Sequence, residues 1–184
     1  ITAGLAGIAA GALSMAVGEY VSVSSQNDIE DADRRLEEEH LQIDPEGELE
    51  ELAHIYEKRG LPKDLAMQVA IEMHKGDALE AHLRDELGQF EHTKARPVQA
   101  AIASALSFTA GGFVPFLGAL APTLGAKAIS IVAITLIGLL ISGIVSARTA
   151  GAPLGKTTLR VFLGGTIGMA ITAGIGQLVH LSGL

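Results

Sequence analysis

One acidic residue, Glu19, lies within a long apolar segment at the start of the chain. Met15 precedes it by four residues, which places both side chains on one face of a helix. An ionised carboxylate at membrane depth costs about 2.5–3.5 kcal/mol on insertion scales, so such residues commonly serve an ion or proton path. A thioether beside a carboxylate suits a divalent transition metal better than Mg²⁺ or Ca²⁺. We therefore predict that Met15 and Glu19 line a metal-ion path; the alternative is that Glu19 only extends to a nearby membrane interface.

A second group of candidate metal ligands consists of acidic and histidine pairs at helical spacing in a polar segment. The pairs are Glu37 with His40, Glu48 with Glu51, and His82 with Glu86. Residues three or four positions apart project from the same helix face, so each pair offers two oxygen or nitrogen donors. Three converging faces would bind one or two transition-metal ions. The alternative is a set of ordinary solvated helix faces, on which Asp85 and Glu91 would be equivalent surface residues.

Charge is concentrated in one part of this 184-residue chain. Residues 28–96 contain 20 of the 21 acidic residues and nine of the 13 basic residues, and therefore carry a net charge of −11. The chain has no cysteine, so metal ligands must be carboxylates, imidazoles, thioethers or backbone oxygens. The acidic balance argues against binding to nucleic acid.

Four apolar stretches have the roughly 20 residues that a membrane-spanning helix needs. They lie at about 1–23, 98–122, 128–147 and 161–181. We predict an all-α polytopic membrane protein with a membrane helix at 1–25, an acidic helical domain at 26–96, and three further membrane helices within 97–184. Three basic residues lie within the loop 148–160, so the positive-inside rule places that loop and the acidic domain in the cytoplasm.

Within the acidic domain, apolar residues at helical spacing predict three or four amphipathic helices. The first is expected at about 26–43, and the Asp44-Pro45 pair ends it. The expected apolar faces of the next three helices are Leu49, Leu52 and Tyr56; then Leu65, Val69 and Met73; then Leu79, Leu83, Leu87 and Phe90. Asp77, with Glu80 three residues later, is typical of a helix start. The histidines His54, His74 and His92 are expected at the surface.

Several of these segments resemble the vacuolar iron transporter family, the iron and manganese exporters of plants, fungi and bacteria. Residues 11–26 (GALSMAVGEYVSVSSQ) resemble the family's second membrane helix and its exit into the cytoplasm. Residues 48–52 (ELEEL), Tyr56, 59–61 (RGL) and 85–88 (DELG) resemble its cytoplasmic metal-binding helices, and 97–115 resemble its third membrane helix. The resemblance covers essentially the whole chain, and we expect the sequence to begin partway through a longer protein, after the first membrane helix.

The resemblance implies a homodimer with five membrane helices per subunit that exchanges ferrous ions for protons and exports the metal from the cytosol. Met15 and Glu19 match membrane-path positions. The family's metal-binding glutamates match Glu37, Glu48, Glu51 and Glu86. His40 stands where a glutamate is usual and His82 where a methionine is usual, so the metal preference is expected to differ while both positions retain a ligand.

We therefore expect a transporter of Fe²⁺, or of Mn²⁺, Zn²⁺ or Co²⁺, bound as substrate in the cytoplasmic domain and exchanged for protons. A bacterial inner membrane is the expected location. One alternative is a membrane-anchored di-iron enzyme, which needs two Glu-x-x-His motifs on facing helices, whereas only Glu37-x-x-His40 is present. A metal sensor without transport activity is another.

Overall fold

The computed structural model describes residues 2–90 and 94–181, and this part of the chain folds into seven α-helices without a β-strand. The helices are α1 (Thr2–Ile43), α2 (Pro45–Lys58), α3 (Lys63–Lys75), α4 (Ala78–Asp85), α5 (Pro97–Gly118), α6 (Leu124–Thr149) and α7 (Leu154–Leu181). His92, which was expected at the surface, lies outside the described residues, and so does Glu91. The prediction of an all-helical fold is confirmed for these described residues.

Helix α1 continues without a break from the apolar N-terminal segment into the acidic segment. Its 42 residues correspond to a length of about 63 Å at 1.5 Å per residue. The hydrocarbon core of a bilayer is only about 30 Å thick, so one continuous helix contains both membrane-length and polar sequence. The expected boundary between residues 25 and 26 is therefore a change in composition and not a break in the helix.

Four of the helices are long and apolar enough to cross a membrane, namely α1, α5, α6 and α7. This agrees with the four predicted stretches, but some ends differ. Helix α5 ends at Gly118 instead of about 122, and α7 begins at Leu154 instead of 161. The earlier start of α7 follows Pro153, whose carbonyl accepts a hydrogen bond from Thr157 N at 3.1 Å in the first turn.

The chain divides into two compact units. We call residues 14–104 the polar unit, and residues 1–13 together with 105–184 the apolar unit. Within the apolar unit α6 packs against α7. A Cβ atom added at Gly143 of α6 would lie 2.8 Å from Cα of Thr158 on α7, so the absence of a side chain allows the two backbones to approach.

The polar unit has a small hydrophobic core between α2, α3 and α4. Its buried residues are Leu52, Ala53, Tyr56, Ala66, Ala70 and Ala81. The predicted inner face of α2 is confirmed for Leu52 and Tyr56. The predicted face of α3 is confirmed for Val69, which packs against this core, but is wrong for Leu65 and Met73, which are exposed while alanines face inward. Small side chains at the contact let α3 approach α2 more closely than leucines would.

Helix α4 is shorter than its sequence pattern predicts. Asp77 caps its start as expected, since Asp77 Oδ1 accepts a hydrogen bond from Glu80 N at 2.9 Å. The helix ends at Asp85, and Gly88 then adopts a positive φ of 68°, a backbone conformation that suits glycine and follows many helix ends. Leu87 and Phe90 therefore lie beyond the helix and are exposed, contrary to the expected apolar face.

Candidate metal centre

Three segments of the polar unit bring four potential metal ligands to one point. Glu37 comes from α1, Glu48 from the first turn of α2, His82 from α4, and Glu86 from the residue that caps the C-terminal end of α4. One ligand atom from each of these residues lies within 4.8 Å of all the others. We call these four residues the carboxylate–histidine cluster.

The imidazole of His82 is at the centre of the cluster. Its Nδ1 atom lies 2.9 Å from Glu37 Oε1, 3.2 Å from Glu86 Oε2 and 3.6 Å from Glu48 Oε2. A divalent cation about 2.1 Å from each ligand would hold neighbouring donors about 3.0 Å apart in an octahedral site and about 3.4 Å apart in a tetrahedral one. The spacings between His82 Nδ1 and the three carboxylates are therefore close to those of donors that share one metal ion.

The cluster is buried although it is rich in negative charge. His82 is 0% exposed, Glu37 5% and Glu48 8%, while the Glu86 side chain is 28% exposed. Among the described residues, no lysine or arginine forms an ion pair with these three carboxylates. Buried carboxylates so close together repel one another unless a proton or a cation joins them.

The crowding of buried carboxylates has its clearest effect on the hydrogen bonding and the pKa of Glu37. Its Oε1 atom is buried and has no hydrogen-bond partner among the described residues. The 2.9 Å separation from His82 Nδ1 is short, but its direction does not suit a hydrogen bond. Burial, followed by the negative charge of Glu86, raises the pKa of Glu37 from 4.5 to about 7. Near neutral pH this carboxyl group is therefore partly protonated, and a cation would compete with the proton for the same carboxylate.

The six expected ligands of the polar unit do not all converge. His40 lies at the edge of the cluster, half exposed, with Nδ1 3.6 Å from Glu48 Oε1. Glu51 is exposed and does not belong to the group. Helix α2 buries Glu48 and Leu52, which are four residues apart, so the intervening Glu51 falls outside the buried stripe.

Met15 and Glu19 lie on α1, one helical turn apart, and both are exposed. Among the described residues, neither belongs to a group of three or more potential metal ligands. Glu19 precedes Glu37 by 18 positions, which corresponds to about 27 Å along the helix axis. Their assignment to a transport path therefore remains a prediction.

His74 contributes a contact that sequence reasoning did not anticipate. Expected at the surface, it is half-buried, and its Nε2 atom lies 3.0 Å from His82 Nε2. Burial and the neighbouring His82 lower the pKa of His74. The two histidines lie on different helices, on either side of the turn at Gly76 and Asp77, so no helical periodicity connects them.

Asp85, which would be a surface residue on the alternative of solvated helix faces, joins α2 to the end of α4. It accepts hydrogen bonds from Tyr56 Oη at 2.8 Å, Arg59 Nη1 at 2.6 Å and Arg84 Nη2 at 2.7 Å. Burial alone would raise the pKa of Asp85, but the hydrogen bonds from the two arginines and the tyrosine outweigh it and lower the pKa to about 2. Because Glu86 is the next residue, this network helps to position the Glu86 carboxylate, which is the most exposed ligand of the cluster.

Comparison with known proteins places the chain in a family. The model of the VIT family matches residues 1–177. A vacuolar iron transporter of Acanthamoeba castellanii is 46% identical over 179 residues, which is 97% of this chain and 69% of that protein. Vacuolar iron transporter homolog 2 of Arabidopsis thaliana is 34% identical over 185 residues, covering 100% of this chain and 70% of its own length. Vacuolar iron transporter homolog 1 of Oryza sativa subsp. japonica is 30% identical, with 62% of its length covered.

These matches confirm the resemblance that the sequence indicated and favour a transporter over the di-iron enzyme. They also agree with the four helices that are long and apolar enough to cross a membrane. The chain belongs to the VIT family and is an integral membrane metal transporter rather than an enzyme.

Proposed function

We propose that the chain transports Fe²⁺ or Mn²⁺ out of the cytosol in exchange for protons, and that the carboxylate–histidine cluster captures the metal. The observation that carries this proposal is the buried Glu37 oxygen, which lacks a hydrogen-bond partner among the described residues and lies within three carboxylates and an imidazole. Leaving such an oxygen unsatisfied is costly, and a cation would satisfy it.

The donor types support a divalent transition metal as the substrate. Carboxylate oxygens alone would suit Mg²⁺ or Ca²⁺, whereas an imidazole nitrogen among them favours first-row transition metals. Zn²⁺ and Co²⁺ would bind the same donors. The relatives described above are named for iron, which favours Fe²⁺ as the natural substrate.

Competition between metal and protons at one site supports the proposed exchange. Glu37 must lose its proton to bind a cation, and its pKa of about 7 places this step near physiological pH. Metal capture from a near-neutral cytosol and release towards a more acidic compartment would follow from this competition. In this proposal the metal passes from the cluster towards Met15 and Glu19, which lie on the same continuous helix as Glu37.

The remaining features of the proposal concern location and assembly. We propose that residues 26–96 face the cytosol and that two copies of the chain form a homodimer in the membrane. The bacterial inner membrane stays a prediction, since the named relatives are eukaryotic vacuolar proteins. Cell fractionation tests the location, and light scattering in detergent tests the dimer; a monomer at all concentrations would contradict the assembly.

The central experiment compares two glutamates of α2 that differ in position. The purified full chain in detergent is titrated with Fe²⁺ under anaerobic conditions, and with Mn²⁺, by calorimetry. We expect Glu48→Ala to weaken binding at least tenfold, equivalent to about 1.4 kcal/mol, because Glu48 lies in the cluster. Glu51→Ala, on the same helix but exposed, is the matched control and should bind as the wild type does.

The same preparations in liposomes with a pH gradient test transport. Metal flux and the accompanying proton movement are expected to fall in both Glu48→Ala and Glu19→Gln. Equal metal affinity in Glu48→Ala and wild type would refute capture by the cluster. Normal coupled flux in Glu19→Gln would remove that residue from the path, and metal binding without any flux would favour a sensor.

A further inference from the structure

The contact between His74 and His82 constrains where the hydrogens of both rings can lie. The two Nε2 atoms are 3.0 Å apart, and the ring planes are inclined by 55° with centroids 5.2 Å apart. A neutral imidazole carries a hydrogen on one nitrogen and a lone pair on the other. If one of the two Nε2 atoms carries a hydrogen, the rings form a hydrogen bond. If both carry one, two N–H groups face each other, and if neither does, two lone pairs face each other; both arrangements are repulsive.

The opposite nitrogen of His82 faces the cluster. Nδ1 must carry a lone pair to bind a metal, and the only hydrogen of the neutral ring must then be on Nε2. Since His82 is fully buried, that Nε2–H group needs an acceptor within the protein. Among the described residues, the acceptor within reach is His74 Nε2.

We propose that His74 is a positioning residue for metal capture: it accepts the hydrogen bond of His82 Nε2–H and so directs the Nδ1 lone pair of His82 towards the three carboxylates. The inference rests on the proposed metal-capturing function of the cluster and deepens it. Partners of this kind fix the tautomer and orientation of a metal-binding histidine, and their removal typically lowers metal affinity about 10- to 100-fold.

The arrangement also accounts for the hydrogens before the metal binds. His82 Nδ1 then donates to Glu86 Oε2 at 3.2 Å, and His82 Nε2 accepts from His74 Nε2–H. When the metal binds, Nδ1 of His82 releases its proton and Nε2 of His82 takes the proton from Nε2 of His74. The half-buried His74 then takes a proton from solvent at its own Nδ1. One proton therefore leaves on the cluster side while another enters through His74.

The test uses the full chain in detergent with Zn²⁺, a diamagnetic probe. Calorimetry gives the affinity, and ¹⁵N NMR of labelled histidine identifies the protonated nitrogen of His82. His74→Phe keeps a ring of similar size but removes the acceptor, and we expect its Zn²⁺ affinity to fall about 10- to 100-fold. His74→Gln replaces the acceptor with an amide oxygen and should recover most of the affinity. His54→Phe, at the surface, is the control.

The outcomes separate this inference from the proposed function. In zinc-bound wild type, His82 should be protonated at Nε2 and bound to metal through Nδ1. Unchanged affinity in His74→Phe, or equal loss in His74→Phe and His74→Gln, would show that His74 acts by packing alone or not at all. Either result would overturn the inference and leave the cluster as the metal site. If wild type and Glu48→Ala bind zinc equally weakly, the cluster does not capture metal and both proposals fail.

Discussion

The two units of the molecule bury opposite kinds of side chain. In the polar unit, Leu52 and three of the four ligands of the cluster are buried, and most other polar groups face outward. In the apolar unit, Gly118, Gly143 and Ala147 are buried, while Ile129 and Leu120 are 73% and 80% exposed. The first pattern is that of a small helical domain in water, except at the cluster.

The second pattern is expected where lipid surrounds the helices. Large apolar side chains gain nothing by leaving hydrocarbon for another apolar surface, so helices associate through small residues that allow close backbone contact. Burial therefore has different meanings in the two units. In one it reports the hydrophobic effect, and in the other it reports the closeness of helix packing.

The largest expected effect comes from removing a core side chain of the polar unit. Leu52 is fully buried between α2 and α3, so Leu52→Ala should lower the free energy of unfolding by about 2–5 kcal/mol. Leu65→Ala on the exposed side of α3 is the control and should have little effect. Urea denaturation, with hydrogen exchange to locate the change, measures both. Equal effects of the two variants would mean that the polar unit lacks the described core.

A smaller effect is expected from adding a side chain to the apolar unit. Gly143→Leu would force apart the backbones of α6 and α7, and overpacking of this kind costs about 1–3 kcal/mol. Gly174→Leu on α7 has open space around its Cβ position and should be tolerated. Thermal unfolding in detergent compares the two variants. If Gly143→Leu is as stable as Gly174→Leu, close packing does not hold α6 against α7.

The third effect concerns the charge buried in the polar unit. Glu37 has a pKa of about 7 in the folded chain and an ordinary value of 4.5. Between these values the folded state holds more protons than the unfolded state, so stability falls as pH rises from about 4.5 to about 7. Above this window the metal-free protein should therefore be less stable than it is at pH 4.5.

Glu37→Gln should flatten this part of the pH profile, because an amide does not titrate, and Glu38→Gln on the exposed side of α1 is the control. Thermal unfolding across pH 4–8 measures the slope. Mn²⁺ should restore the stability of the wild type above pH 7, since the metal binds the ionised carboxylate. A Glu37→Gln profile as steep as that of the wild type would contradict the assigned proton site.

The site was only partly predictable, and the reasons are specific to each residue. Glu48 and Glu51 are equivalent as members of a spaced pair, and only the packing of Leu52 into the core decided that Glu48 turns inward. Asp85 resembled its exposed neighbours, but three hydrogen-bond donors surround it. The pairing of His74 with His82 depends on the turn between α3 and α4, which sequence spacing does not specify.

By itself, the sequence determined the helical class, the four membrane-length helices, the acidic segment between the first two of them, and the family. These properties follow from composition, apolar run length and local motifs, all of which act over a few helical turns. Only the tertiary structure decided which donors meet, which leucines are buried and which histidine supports His82. Those outcomes depend on how α1, α2 and α4 pack in space, and helical periodicity defines a face of one helix but not its neighbour.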